Sequence, residues 1–138
     1  MWVHEPGCAR MFNVISIKQA YAGHAKQAAL LAASCQSGSY LGLFVVVVDD
    51  DVDPANLNEV LWAMCTRCDP AEDIDILRRT WSGPLDPRLP EGVTWNSRAV
   101  IDACRPFEML KDFPPVVKAS DELRDKVRQK FEDQLKKR

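Results

Sequence analysis

The most constraining feature of this sequence is an uninterrupted apolar run, Leu43 to Val48, which contains four consecutive valines. β-Branched residues favour strands, and a run with no polar position has no face suited to water. Such a strand is typically buried on both sides, as in a parallel sheet covered by helices. The run therefore predicts an α/β domain built around one central strand.

Weaker patterns on both sides of this run complete the order β-α-β-α-β-loop-β-α. Strands are predicted at 12–17, 43–48, 74–77 and 99–103, and helices at 24–37, 57–66 and from 120 onward. Strands that alternate with helices are joined by right-handed crossovers. The predicted fold class is α/β, a parallel or mixed sheet with helices on both faces and a C-terminal helix.

The 138 residues suit one domain with its own core. We predict a single unit over 1–138, divided into a loop over 1–11, an α/β core over 12–119 and a C-terminal helix over 120–138. Within the core, prolines and glycines predict a long loop from 79 to 98. Long loops in compact domains often bind ligands.

The C-terminal helix is predicted to begin at Ser120, whose side chain can cap its first turn. Its apolar residues recur at steps of four, and the rest of the helix is charged; they are Leu123, Val127, Phe131 and Leu135. A narrow apolar stripe on a terminal helix docks either on another subunit or on its own domain. The sequence leaves both possibilities open.

Composition excludes some functions. The net charge is −2, and no basic patch indicates nucleic-acid binding. No apolar run approaches the ~20 residues that cross a bilayer, and the N-terminus lacks the features of a secretion signal. The five cysteines are scattered, which favours reduced thiols and a cytoplasmic location.

Acidic residues follow the apolar run, at the strand end where open α/β sheets bind ligands. Asp49, Asp50, Asp51 and Asp53 could together bind a divalent cation, since hard cations prefer several oxygens. Their spacing lacks the glycine and distal glutamate of a calcium loop. Aspartates at a strand end more often bond their own backbone, so a structural role is favoured.

Cys65 and Cys68 form a CxxC pair. One pair supplies two soft ligands where a structural zinc needs four, so ordinary thiols are favoured over a metal site. No nucleophile triad, phosphate-binding loop or acid–base pair is recognisable. From the residues alone we predict no metal site and no self-contained catalytic set.

Six stretches occur in a distinctive order: NVISIKQ at 13–19, GHAKQ at 23–27, VVVVDDDVDP at 45–54, NEVLWAMCTRCDP at 58–70, GPLDP at 83–87 and NSRAVIDACRPFE at 96–108. Together they resemble the C-terminal domain of the UbiD family, decarboxylases that use prenylated FMN on aromatic and α,β-unsaturated acids. The resemblance covers nearly the whole chain from residue 3 onward. It implies a carboxy-lyase function for the complete enzyme.

The resemblance also implies what this chain contributes. In the family the catalytic residues and most cofactor and metal ligands lie in an upstream domain that has no counterpart in these residues. We therefore assign no catalytic residue, and we expect the chain alone to be inactive and to bind no prenylated FMN. The implied partners are a second copy, through the C-terminal helix, and a flavin-binding UbiD-like catalytic subunit.

Two segments match the family's substrate-pocket wall, Ser37 to Leu41 and Gly83 to Leu85. The resemblance implies substrate-binding roles for Leu41, Gly83, Pro84 and Leu85. Ser37 stands where relatives of the ferulic acid type have a lysine that contacts the cofactor phosphate. It is the one implied cofactor-binding residue, and because it has no charge the contact would be weaker or lost. Gly83 replaces a bulkier side chain, which implies a wider pocket.

A different class of function fits the same fold. The chain could be a stand-alone oligomerisation or small-molecule-binding module without catalytic activity. A flavin-binding partner that co-purifies with the chain would favour the decarboxylase hypothesis, and its absence would favour the module.

Overall fold

The structure, a computed structural model, describes residues 1–4, 10–117 and 119–135. The strands are β1 (Trp2–Val3), β2 (Phe12–Ile17), β3 (Phe44–Asp49), β4 (Ile74–Trp81) and β5 (Trp95–Ala103). The α-helices are α1 (His24–Ser34), α2 (Gln36–Ser39), α3 (Leu57–Arg67) and α4 (Asp121–Leu135), and a 3-10 turn spans Phe107–Met109.

All five strands form one mixed sheet in the order β1-β2-β3-β5-β4. The three central strands are parallel, and the two edge strands, β1 and β4, are antiparallel to their neighbours. The valine-rich strand β3 lies in the middle, where Val46 pairs with Val14 on one side and Ile101 on the other. The predicted α/β class is confirmed, and the sheet is of the mixed type.

Alternate valines of β3 face opposite sides of the sheet, and a helix covers each side. The α1 side buries Ala25, Ala29, Ala33, Val45, Val47, Val100 and Cys104. The α3 side buries Val14, Val46, Val48, Val52, Val60, Ala63, Ile101 and Ala103. The small alanines let α1 approach the sheet closely. With α1 on one face and α3 on the other, both faces are covered as the sequence predicts.

The first residues differ from the predicted loop. Trp2 and Val3 pair antiparallel with Val14 and Asn13 on the free edge of β2. His4 continues the contact, since its backbone N–H donates to the carbonyl of Phe12 at 3.1 Å. A two-residue strand is too short to show a period, and positions 5–9 of the predicted loop lie outside the described residues.

The hairpin of β4 and β5 is longer than predicted. Pairing extends to Trp81 opposite Trp95, so the predicted loop of 79–98 shrinks to 82–94. A register shift between Leu77 and Thr80 contains Arg79, whose φ is 57°. The sequence pattern did not predict the outer half of β4, because the alternation of apolar and polar residues is interrupted where a strand bulges.

Helix α1 ends at Ser34, three residues before its predicted end. Cys35 is extended, and α2 then folds back over the end of α1. A Cβ at Gly38 would overlap the carbonyl oxygen of Ala32, so only glycine permits this approach. Helix α3 is capped by Asn56, whose side chain accepts from the N–H of Asn58 at 3.1 Å.

Helix α4 begins as predicted, with the Leu123 N–H donating to the Ser120 hydroxyl at 3.2 Å. Its stripe is exposed: Leu123 is 52%, Val127 48% and Phe131 39% accessible. The side chain of Leu135 and the predicted helical residues 136–138 lie outside the described residues. In the described ranges, no helix is both long and apolar enough to cross a membrane.

Candidate functional site

The carboxyl ends of the parallel strands meet around the buried carboxylate of Asp49. One oxygen accepts from Arg67 Nη1 at 3.0 Å and from the backbone N–H and Nε of Arg105 at 2.8 and 3.0 Å. The other accepts from Gln19 Nε2 at 2.8 Å. Asp49 therefore joins β3 to residues that follow β2, end α3 and follow β5.

Asp51 completes this ion network. Arg67 donates two hydrogen bonds to the two oxygens of Asp51, at 2.9 and 2.8 Å. The bonds from Arg67 lower the pKa of Asp51, against an opposing effect of burial. Burial also opposes the charge on Arg67, but the bonds to Asp51 and the charges of Asp51 and Asp49 outweigh it, so the pKa of Arg67 is raised.

The remaining aspartates behave as turn residues. Asp50 is exposed, and Asp53 accepts the N–H of Ala55 at 2.9 Å, the local bond expected of aspartate in a turn. Throughout 1–4, 10–117 and 119–135, no group of three or more His, Cys, Asp or Glu side chains is placed to hold a metal ion. The acidic turn is thus occupied by arginines and backbone groups of the same chain.

The four cysteines in the described part of the chain are free thiols, and those of the CxxC pair lie at the end of α3, with Cys65 exposed and Cys68 half-buried. Cys104 lines a cavity of about 220 Å³ beyond the end of β5, together with Asp102 and Phe107. Burial raises the pKa of both Asp102 and Cys104. A buried, protonated thiol is a poor nucleophile, so this cavity supplies no evident covalent chemistry.

The two predicted wall segments meet at the opposite edge of the sheet, where the parallel strands begin. The ring of Tyr40 lies directly against Gly83, where a Cβ would overlap three ring carbons. Tyr40 also contacts Trp81, with ring centroids 6.0 Å apart, and the guanidinium of Arg10 lies 5.3 Å from its centroid. The space that Gly83 leaves is filled by Tyr40 of the same chain.

The individual wall residues differ in exposure. Ser37 and Pro84 are exposed, and Leu85 is 68% accessible. Leu41 is buried, and its φ of 66° places it in the left-handed region, at a cost of roughly 1–2 kcal/mol for a residue with a Cβ. This conformation turns the chain from α2 into β3.

A buried arginine lies beneath both wall segments. Arg98 of β5 is 1% exposed, and its guanidinium donates to the carbonyl oxygens of Ala33, Ser39 and Trp81. Burial lowers the pKa of Arg98, although an arginine still carries its proton at neutral pH. No sequence pattern identifies these contacts of Arg98, because its partners are backbone groups far away in the chain.

Asn96, two residues earlier, points to the same side of β5 and extends the polar contacts. Its amide donates to the Gly42 carbonyl at 3.3 Å and to the Ser82 hydroxyl at 3.1 Å, and its oxygen accepts from Thr80 at 3.2 Å. Two polar residues at successive inward positions of a strand were the sequence signal available. They stand where an apolar pair would otherwise be expected.

Asp86 adds a buried carboxylate to the loop that follows the wall. It accepts two hydrogen bonds from the Arg88 side chain, at 3.3 and 3.1 Å, and one from the Arg88 N–H at 3.1 Å. The bonds from the Arg88 side chain are the main reason that the pKa of Asp86 is lowered. This turn fixes the chain just beyond Leu85.

Comparison with known proteins gives this arrangement its family. The family model of the 3-octaprenyl-4-hydroxybenzoate carboxy-lyase C-terminal domain, the UbiD C-terminal domain, matches residues 1–103. The chain belongs to the UbiD family. The match includes both wall segments and the valine-rich strand.

Relatives of this UbiD-family chain are decarboxylases. A phenolic acid decarboxylase of Sedimentibacter hydroxybenzoicus is 39% identical over 94 residues, 67% of this chain and 19% of the relative. The vanillic acid decarboxylase structure of that organism, in its closed form, has a TM-score of 0.67 at 32% identity, over 89% of this chain and 26% of that one. This chain thus spans about a fifth to a quarter of these relatives.

A third relative bears on the cofactor. The UbiD-class enzyme HmfF of Pelotomaculum thermopropionicum, solved with FMN, has a TM-score of 0.73 at 30% identity, over 87% of this chain and 26% of that one. An evolved dimeric form of HmfF was solved with prFMN. Ser37, the residue predicted to contact the cofactor, is exposed, and its hydroxyl can form a hydrogen bond but carries no charge.

We predict that Asp49→Asn destabilises the fold by about 3 kcal/mol, because it removes a negative charge beside the buried Arg67 and turns the new amide N–H group toward at least one hydrogen-bond donor. Urea unfolding followed by tryptophan fluorescence measures the loss. Asp50→Asn removes the same charge one residue later on an exposed side chain, and it should change stability by no more than about 0.5 kcal/mol. Equal losses in the two variants would contradict the role of Asp49.

We predict that Gly83→Ala costs about 1–3 kcal/mol, since the new methyl group displaces the Tyr40 ring. The cost should nearly vanish in a Tyr40→Ala background, where the methyl group has room. A double-mutant cycle by thermal or urea unfolding measures this coupling. Strictly additive losses would show that the two residues do not share one space.

Proposed function

We propose that this chain forms the C-terminal part of a UbiD-like carboxy-lyase that acts on an aromatic or unsaturated carboxylic acid. Within that enzyme it provides one wall of the substrate pocket and an oligomer interface. A flavin-binding UbiD-like catalytic part completes the site. The family match and its decarboxylase relatives support the reaction class.

The observation that carries the pocket-wall role is the meeting of two segments more than 40 residues apart in sequence. The contact of Tyr40 with Gly83 and the bonds of Arg98 to Ser39 and Trp81 bring them to one edge of the sheet. The exposed side chain of Leu85, two residues after Gly83, adds apolar surface to the second segment. An aromatic and aliphatic wall suits the flat ring of an aryl acid.

The side chains of the wall indicate what this chain and the catalytic part would each contribute to the reaction. Prenylated FMN, bound mainly by the catalytic part, supplies the electron sink for loss of CO2. The wall packs against the substrate ring and excludes water, which strengthens charge interactions inside the closed site. Ser37 contributes a hydroxyl toward the cofactor phosphate. We assign binding and water exclusion to this chain, and proton transfer to the catalytic part.

The decisive experiment measures CO2 release from a panel of aryl acids with prenylated FMN. We expect no turnover by the 138-residue chain alone, and turnover after co-expression with a flavin-binding UbiD-like catalytic part. In the active assembly, Leu85→Asp should lower kcat/KM on the order of tenfold or more, because a carboxylate is costly to bury against an aromatic ring.

Glu91→Gln, on the exposed part of the same loop, serves as the matched control and should leave kcat/KM unchanged. Turnover by the chain alone would refute the division of labour. Equal effects of the two substitutions would refute the wall.

The oligomer interface we propose is the exposed stripe of α4, which joins two copies of the chain. Leu123, Val127 and Phe131 share one helix face, and all three are exposed in the single chain. Two such stripes can bury each other in a two-fold interface. An evolved form of the relative HmfF is dimeric.

We predict that Phe131→Asp converts the dimer to monomers, because it places a carboxylate in the apolar interface. Sedimentation velocity measures the change. Gln129→Asp adds the same charge to the opposite side of the helix and should leave the dimer intact. An unchanged sedimentation coefficient for Phe131→Asp, in a protein that remains helical, would rule out this interface.

A further inference from the structure

We propose that Arg98 is the positioning residue that fixes the two wall segments relative to each other, an inference that builds on the proposed pocket-wall function. Its guanidinium donates hydrogen bonds to the end of α1, to the segment before β3 and to the end of β4, and we call this set of bonds the tie. Ser39 lies inside the first wall segment, and the second wall segment begins two residues after Trp81.

The contacts make this tie unusually direct. Arg98 donates to the carbonyl oxygen of Ser39, two residues before Leu41, and to that of Trp81, two residues before Gly83. A third bond goes to Ala33 in the last turn of α1. These carbonyls have no other common partner side chain among the described residues, so Arg98 alone connects all three segments.

The choice of arginine is informative because its burial is costly. Arg98 is 1% exposed, and no carboxylate in the described ranges lies within salt-bridge distance of it. A buried cation without a counter-ion is generally less stable than an apolar residue of similar size. Stability alone would therefore favour a residue like its neighbours Val100 and Ile101 at this inward position.

An arginine does provide something that those neighbours cannot. Its planar fork carries five N–H donors in fixed directions, so it can bind carbonyls on different segments at set angles. Lysine offers one nitrogen and cannot reach three separate carbonyls in the same way. The geometry thus points to orientation of the wall as the reason for a cation at this position.

Hydrogen exchange on the full chain tests the tie. The N–H of Ser39 bonds Cys35, and that of Ser82 bonds Thr94, so each reports on one segment. In Arg98→Met, exchange at both amides should accelerate at least roughly tenfold more than at Val46 in the sheet centre. Arg78→Met, on an exposed arginine of β4, is the matched control and should change neither.

Arg98→Lys keeps the positive charge but removes the planar fork of donors. The amide of Ser39, of Ser82 or of both should therefore still exchange as fast as in Arg98→Met. The proposal would be overturned if Arg98→Lys left the amides of Ser39 and Ser82 fully protected from exchange. It would also be overturned if Arg98→Met accelerated amide exchange equally across the whole sheet. If the variants fail to fold, exchange of the arginine side-chain protons in the unmutated chain still tests the proposal. The Nη protons of Arg98 should exchange at least roughly tenfold more slowly than those of Arg78, and equal rates would refute the proposal.

The assembled decarboxylase then tests the consequence for substrate. Arg98→Lys should raise KM several-fold and leave kcat within about twofold, because a misplaced wall weakens binding more than chemistry. Loosened amides with an unchanged KM would refute the pocket-wall function while leaving the tie intact. Unchanged amides would refute the tie whatever the kinetics show.

Discussion

The buried carboxylate of Asp49 is the interaction on which the carboxyl edge of the sheet depends. It accepts bonds from three side chains that arrive from different parts of the chain, Gln19, Arg67 and Arg105. Because a buried carboxylate is stable only when its partners are in place, these segments must assemble together. The valine-rich strand supplies the apolar core, and Asp49 at its end sets which elements surround it.

This network has a consequence for where function can lie. Open α/β sheets usually bind ligands beyond the carboxyl ends of their strands. Here the acids at that end are held by Arg67 and Arg105, and Asp53 is held by its own turn. The wall segments instead meet where the parallel strands begin. The carboxyl edge of the sheet is thus occupied by contacts within the chain, and the proposed pocket wall lies at the other edge.

Much of this fold could be predicted, because the signals are local. The run from 43 to 48 and the alanine face of α1 each express their role within a few residues. The secondary-structure prediction was wrong where a segment becomes a strand only by pairing with a neighbouring strand. Trp2 and Val3 form a strand only because β2 offers a free edge, and the outer half of β4 is strand only because β5 pairs with it across the bulge at Arg79. Such pairings leave no period in the sequence.

The two wall segments could be singled out only through family resemblance, and the contacts of Arg98 could not be predicted, for a physical reason. Its partners are carbonyl groups, which every residue carries, so no residue type at 33, 39 or 81 marks them. What the sequence does show is a conflict: Asn96 and Arg98 occupy successive inward positions of a strand whose next inward residue is Val100. Local rules are typically broken where a site must be held in one shape at the expense of stability. An inward polar pair in an otherwise apolar strand is therefore a reason to look for the segments it joins.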